Sequence, residues 1–277
     1  MAKTLFITGV SSGFGRAFAQ AALAAGHRVV GTVRNNDAAA DFSALAEGAH
    51  AFVLDVTDNA AIPEVVVKAE QLAGPIDVLV NNAGYGHEGI LEESPLDEMR
   101  RQFEVNVFAA VAMIKAVLPG MRERRRGHIV NITSMGGFIT MPGIAYYCGS
   151  KFALEGISEV LAKEVAPLGV KVTAVAPGSF RTDWAGRSMV RAERTIGDYD
   201  ALFNPIRDAR VAKSGRQLGD PALAAQALLS LIEMEHPPVH LLLGSDAVGL
   251  VKQKLDDMRI DIDRFEALSQ STDSPAA

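Results

Sequence analysis

The chain alternates two hydrophobic rhythms along its length. Short runs rich in β-branched residues occur at 5–8, 28–33, 51–54, 77–81, 128–132, 170–176 and 240–243. Their apolar residues are consecutive rather than alternate, which is the pattern of strands covered on both faces. Between them, stretches at 15–25, 59–72, 96–121, 153–166 and 221–235 carry helical periodicity. Strand and helix repeated in this way predict crossover units and an α/β fold. The expected architecture is one doubly wound, seven-stranded, mostly parallel sheet with helices on both faces. No Pro/Ser/Gly-rich linker divides it, so residues 1–268 are read as one domain and 269–277 as a disordered tail. Residues 181–216 follow the sixth strand without a strand-like run. Ligands of such sheets bind beyond the carboxyl ends of the strands, so this insertion is expected to cover a pocket. Residues 250–268 form an amphipathic appendage to which no chemistry can be attached.

Composition narrows the class. In 277 residues, 48% are hydrophobic and 22% charged, which excludes a disordered chain. Twenty-seven basic against thirty-three acidic side chains give −6, a balance that argues against nucleic acid as a partner. The single cysteine, Cys148, excludes an internal disulfide, and six scattered histidines show no metal-ligand spacing. The first residues lack the apolar run of a signal peptide, and no uninterrupted apolar stretch approaches the roughly 18 residues of a membrane helix. A cytoplasmic protein without a membrane partner is the expectation.

The first strand ends in Thr8-Gly9-Val10-Ser11-Ser12-Gly13-Phe14-Gly15, and a helix follows at once. A glycine-rich turn there lets the backbone approach a pyrophosphate, while the helix N-terminus offers free N–H groups to it. The spacing is Gly-x3-Gly-x-Gly, not the commoner Gly-x-Gly-x-x-Gly. An acidic residue about 20 positions past the glycines would bind a ribose 2′-hydroxyl. From Gly13 that count reaches neutral Val33, and Arg34 follows it. A guanidinium there suits a 2′-phosphate, so NADP(H) is expected in preference to NAD(H).

Tyr147 and Lys151 stand four residues apart at the start of a helical stretch and so share a face. A free phenol has a pKa of about 10; a neighbouring ammonium favours the phenolate and is expected to lower it. Ser134 lies thirteen residues upstream, just past the fifth strand, where a hydroxyl can hold a substrate oxygen. Tyr146 is a rival to Tyr147 but has no lysine at plus four.

Taken jointly, Gly9/Gly13/Gly15, Asn81-Asn82-Ala83-Gly84, Asn106, Ser134, Tyr147/Lys151 and Pro177-Gly178 with Thr182 resemble the short-chain dehydrogenase/reductase family. The resemblance spans residues 4 to about 243 and implies a Rossmann-type domain. The strand-end Thr-Val-Arg and the segment Phe180-Arg181-Thr182-Asp183-Trp184 are most similar to bacterial oxidoreductases near the 17β-hydroxysteroid dehydrogenase branch. The resemblance further implies that Tyr147 is the general acid/base and that Lys151 lowers its pKa and binds the nicotinamide ribose. By the same resemblance Ser134 holds the substrate oxygen, and Asn106 supports a water that links Lys151 to solvent. It places Ser11, Ser12 and Phe14 of the glycine turn, Asp55 with Val56, and Asn82-Ala83-Gly84 around the dinucleotide. Pro177, Gly178, Phe180 and Thr182 would then flank its nicotinamide.

Hydride transfer between NADP(H) and a small-molecule carbonyl or secondary alcohol is the resulting expectation. Two alternatives stay open: a nucleotide-sugar epimerase or dehydratase, and a non-catalytic nucleotide sensor. Asn106 can also be read as mending a helix irregularity, and Thr182 as a simple cap. His87 is expected to be exposed. The arginines Arg181, Arg187, Arg191, Arg194, Arg207 and Arg210 suit either an anionic substrate or a solvated lid. Phe103, Val107, Phe108, Val111 and Ile157 give helices 96–121 and 153–166 more apolar surface than one stripe needs. In relatives such helices associate, so a homodimer or homotetramer is expected.

Overall fold

The structure is a computed structural model that describes residues 2–186 and 188–274. Arg187 and residues 275–277 of the expected tail lie outside the described residues. The chain runs through β1 (Thr4–Ile7), α1 (Gly13–Ala24), β2 (Arg28–Val33), α2 (Asn36–Ser43), β3 (Ala49–Val53), α3 (Ile62–Ala73), β4 (Val78–Asn81) and β5 (Gly86–Glu88). It continues through α4 (Leu96–Phe103), a π turn (Glu104–Phe108), α5 (Ala109–Glu123), β6 (Gly127–Ile132), α6 (Ala145–Val165) and β7 (Val170–Pro177). Last come β8 (Met189–Arg191), α7 (Asp200–Ala212), α8 (Pro221–Glu233), β9 (His240–Leu243) and α9 (Ser245–Gln270).

Seven strands pair in parallel in the order β3-β2-β1-β4-β6-β7-β9, as the doubly covered runs predicted. The order reverses between β1 and β4, and this is where a crevice opens at the carboxyl edge. Each face of the sheet has its own core. Phe18, Ala19 and Ala22 of α1 pack with Leu228 and Leu231 of α8 on one side. On the other, Val66 of α3 packs with Met113, Val117 and Met121 of α5. Taken with the π turn as one helical run, Leu96–Glu123 has the length and mean hydropathy to cross a membrane. Met113, Ile114, Val117 and Met121 of this run instead pack into the core on one face of the sheet.

Several elements differ from the expectation. α2 was not foreseen; Asn35 caps it by accepting the Ala38 N–H at 2.9 Å. α6 starts at Ala145, eight residues before the periodic stretch at 153–166, so that Tyr147 and Lys151 fall in its first two turns. Ser269 and Gln270, expected in the disordered tail, close α9, where both side chains bond four residues back (to the Phe265 carbonyl and to Glu266). The insertion does hold a strand: β8 pairs in parallel with β5, His87 opposite Val190, and α7 follows.

Candidate active site

The glycine turn owes its shape to three positions. Gly9 and Gly13 take positive φ, +74° and +57°, where a side chain would be strained. Gly15 is needed for space: a Cβ there would stand 2.1 Å from the Gly9 carbonyl oxygen and 2.5 Å from Asn82 Nδ2. Asn82 Nδ2 donates to the carbonyls of Thr8 and Gly9 at 2.9 and 3.0 Å. Thr8 Oγ1 accepts the N–H groups of Asn82 and Ala83, both at 2.9 Å. The loop after β4 is thereby fastened to the turn after β1. At the N-cap, Ser12 makes no side-chain bond to the helix, and no acidic residue occupies the first turn of α1. Its N–H groups therefore face the crevice with their positive dipole end uncompensated.

That crevice is a cavity of about 1310 Å³. Gly9, Ser11, Ser12, Gly13 and Phe14 line one part of it, with Arg34, Asp55 and Val56 beyond the ends of β2 and β3. The Thr57 N–H and hydroxyl bond Asp55 at 3.0 and 2.8 Å and hold its carboxyl below its usual pKa. Asn82, Ala83 and Gly84 form the floor, and Pro177, Gly178, Phe180 and Thr182 line the far wall. A glycine cradle, an open helix N-terminus and a cation at the end of β2 suit a dinucleotide with its pyrophosphate on α1. A Cβ at Gly178 would come within 2.2 Å of Asp246 Oδ1 and force that carboxylate to move. Asp246 itself accepts the Ser179 N–H at 2.8 Å.

Ser134, Tyr147 and Lys151 meet on the wall of the same cavity. β6 delivers Ser134 at its carboxyl end, where its Oγ accepts the Gly136 N–H at 3.0 Å, and its hydroxyl stands close enough to the Tyr147 phenol to favour the phenolate. α6 delivers the other two from one face. Lys151 Nζ donates to the Ile132 carbonyl at 2.9 Å and lies 5.7 Å from the centroid of the Tyr147 ring. Both side chains are buried. Burial pushes the phenol above its usual pKa, against the opposing influence of the Ser134 hydroxyl, instead of below it as the sequence suggested. The low-dielectric surroundings penalise a phenolate more than the nearby groups favour it. The same burial lowers the Lys151 ammonium to about 8, opposed by the carboxylate of Glu155 one turn on.

Asn106 sits in the π turn, almost fully buried. Its amide donates to the Tyr85 carbonyl at 3.1 Å and to Ser150 Oγ at 3.0 Å, and its oxygen accepts the Tyr85 N–H at 3.2 Å. Ser150 Oγ passes on to the Tyr147 carbonyl at 2.7 Å. Asn106 therefore both fits the helix irregularity and ties the β4–β5 loop to the helix that carries Tyr147. Thr182 also plays two parts, lining the cavity and capping the turn Asp183–Ala185 by accepting the Trp184 N–H.

Other residues fall elsewhere than the sequence suggested. Tyr146 points away and donates to the Ser94 carbonyl at 2.7 Å. His87 is buried, not exposed; its ring stacks on Tyr146 at 5.0 Å because β5 pairs with β8. Trp184, named only within a sequence pattern, packs against the Tyr147 ring at 5.0 Å. Glu88 was missed altogether. It is buried on β5 and meets Arg191 at 3.0 Å, Arg207 at 3.8 Å and Arg210. Glu93 takes Arg194 at 2.8 Å, and Asp220 takes Arg181 at 2.7 Å. Most arginines of the insertion thus tie it to the body; Arg187 lies outside the described residues. The three acids 88, 92 and 93, set against eight basic and five acidic side chains in residues 181–216, were the one available signal. Among the described residues no cluster could hold a metal.

An α/β sheet with a glycine-turn cradle and a serine, tyrosine and lysine on one cavity wall defines a nucleotide-dependent oxidoreductase. The family model of the short chain dehydrogenases matches residues 3–191, and the chain belongs to that family. It is an NAD(P)-dependent enzyme acting on CH–OH or carbonyl groups. It is 36% identical over 271 residues to oxidoreductase BOA17 of Botryotinia fuckeliana, covering 97% of this chain and 98% of that protein. The crystal structure of a short-chain dehydrogenase from Streptomyces avermitilis superposes with a TM-score of 0.92 at 42% identity, covering 98% of each chain. A 3-ketoacyl-(acyl-carrier-protein) reductase from Brucella melitensis, complexed with NADH, gives 0.73 at 27% identity, covering 87% of this chain and 96% of that one.

Proposed function

We propose that the protein reduces a small-molecule ketone or aldehyde, or oxidises the corresponding secondary alcohol, with NADP(H) preferred over NAD(H). The observation that carries this reading is the meeting of Ser134, Tyr147 and Lys151 on the wall of the cavity that the glycine turn and Arg34 also line. The dinucleotide supplies or accepts the hydride when bound. Ser134 Oγ holds the substrate oxygen, and Tyr147 Oη gives that oxygen a proton as it gains charge. A phenol held protonated by burial is the form required of a donor. The Lys151 ammonium, beside the ring, stabilises the phenolate left behind, and Asn106 keeps α6 and the β4–β5 loop in register for the transfer. Asn82, Ala83 and Gly84 support the adenosine half, and Asp55 with Val56 borders its base. Pro177, Gly178, Phe180 and Thr182 border the nicotinamide.

The preference for NADP(H) rests on Arg34, a cation lining the cavity where a 2′-phosphate would lie, with no acid in its place at Val33. A homo-oligomer is supported by exposed Phe108, Phe152 and Val160 on the outer faces of the π turn and α6. Light scattering at micromolar concentration tests it, and a monomer would contradict it. For the chemistry, Tyr147→Phe is expected to lower kcat at least about 100-fold while dinucleotide affinity stays within about twofold. A Tyr147→Phe protein that still oxidises NADPH with a panel of carbonyls at the wild-type rate would overturn the assignment.

A further inference from the structure

α9 is fixed to the body only at its start. Ala247 and Val251 are buried, and Asp246 holds the loop behind Gly178, but from residue 252 onward every side chain except half-buried Lys254 is exposed. Nineteen residues at 1.5 Å each carry the helix about 28 Å beyond the fold. Helices of this length are marginal in water unless an apolar face is packed. This one has such a face: from buried Val251 the stripe continues through Leu255, Met258, Ile262 and Phe265, spaced 4, 3, 4 and 3. That is the heptad seam of a coiled coil, and the last four side chains are 46–64% exposed. Isolated exposed apolar residues are ordinary, but four in heptad register on a projecting helix are not.

The charges beside the seam identify the occupant. One flank carries Lys252, Arg259 and Glu266, and the other Lys254, Asp261 and Leu268. If two copies ran parallel, Lys254 would face Arg259 and Asp261 would face Glu266, twice each, so that all four contacts would be repulsive. Run antiparallel about Ile260, each flank meets itself reversed. Lys252 then faces Glu266 of the second copy in two attractive pairs. Leu255 packs on Phe265, and Met258 on Ile262. Only Arg259 and Asp261 meet their own kind, at the axis, and Arg259 already has Asp263 one turn on at 3.8 Å. Residues 252–270 carry five acidic and four basic side chains, so an anionic lipid surface is not the match.

We propose that α9 is an association arm that pairs antiparallel with α9 of a second copy of this chain. The pairing is independent of the catalytic reading and of any contact through the π turn and α6. Cysteine cross-linking of the full-length protein tests it, since the only native thiol, Cys148, is buried. Under mild oxidation Arg259→Cys, at the axis, should give a disulfide-linked dimer. Leu255→Cys should not, because antiparallel pairing separates the two copies of that position by about 15 Å. Lys252→Glu or Glu266→Lys, each added to Arg259→Cys, should weaken the linked pairing about tenfold, and the two together should restore it. All variants should keep wild-type NADPH oxidation, which reports an intact body. Linking through 255 but not 259, linking through both equally, linking through neither, or failure of the double charge swap to restore it would each overturn the proposal.

Discussion

Lys151 presents a trade between stability and chemistry that can be measured. Its ammonium is buried, and its pKa falls from a usual 10.5 to about 8 in the folded chain. At roughly 1.4 kcal/mol per pH unit, holding that charge inside costs the fold about 3 kcal/mol at pH 7. Replacing it by Met keeps the aliphatic stem and removes the charge. Losing the bond to the Ile132 carbonyl offsets about 1–2 kcal/mol of the gain. Lys151→Met is therefore expected to be about 1–2 kcal/mol more stable than wild type at pH 7, with activity reduced at least about 100-fold. The pH dependence gives the sharper test. Between pH 8 and 10.5 the unfolded chain keeps a proton that the folded wild type has lost, so wild-type stability rises with pH there. The variant has no such group. By pH 10 most of the cost is relieved, and the order of the two proteins should reverse. Urea unfolding followed by circular dichroism at pH 7, 8.5 and 10 measures the gap. A gap that stays constant across that range would refute the claim that a buried charge at Lys151 is what sets it.

Two further outcomes are expected. Arg34→Gln should raise the KM for NADPH about 10- to 100-fold, the worth of one charge-assisted phosphate contact, and leave that for NADH unchanged. Equal effects on both would remove Arg34 from cofactor selection. His128 is buried with Nε2 3.0 Å from Thr173 Oγ1 and Nδ1 unpartnered, and burial lowers its pKa to about 4. As pH falls from 6.5 to 4 the unfolded chain takes up this proton first, so about 3 kcal/mol of stability should be lost over that window. In an acid titration His128→Asn should show a shallower decline than wild type, and parallel declines would contradict the assignment.

The strands were legible because a strand covered on both faces has no polar alternation to hide it, and all seven lie within about two residues of the expectation. Ser134, Tyr147 and Lys151 were legible because two share one helix turn and the third ends a buried strand. What escaped depended on distant contacts. α2 spells Asn-Asp-Ala-Ala-Ala-Asp-Phe-Ser, with Phe42 as its one large apolar side chain, so no periodicity marks it. β5 and β8 are three residues each and pair across about a hundred positions, and this pairing buries His87 and Glu88. The direction of the Tyr147 shift escaped because burial, which sets it, depends on Trp184, Ile144 and Met141 closing over the ring.

The wide turn at Asn106 also explains why 96–121 looked too apolar for a single stripe. A π turn absorbs one residue more than an α turn, so the segments on either side of it are out of phase by one position. Read with a single repeat, their inward positions drift around the axis. Read as two rods joined by a one-residue slip, each keeps its own contact line, and the slip itself is what swings the amide of residue 106 inward. Excising one residue between Glu104 and Phe108 would straighten the rod and turn every position on one side by about 100° relative to the other. A change in the residue count there would thus misalign the two rods, whereas exchange of a single exposed side chain would leave their phase unchanged.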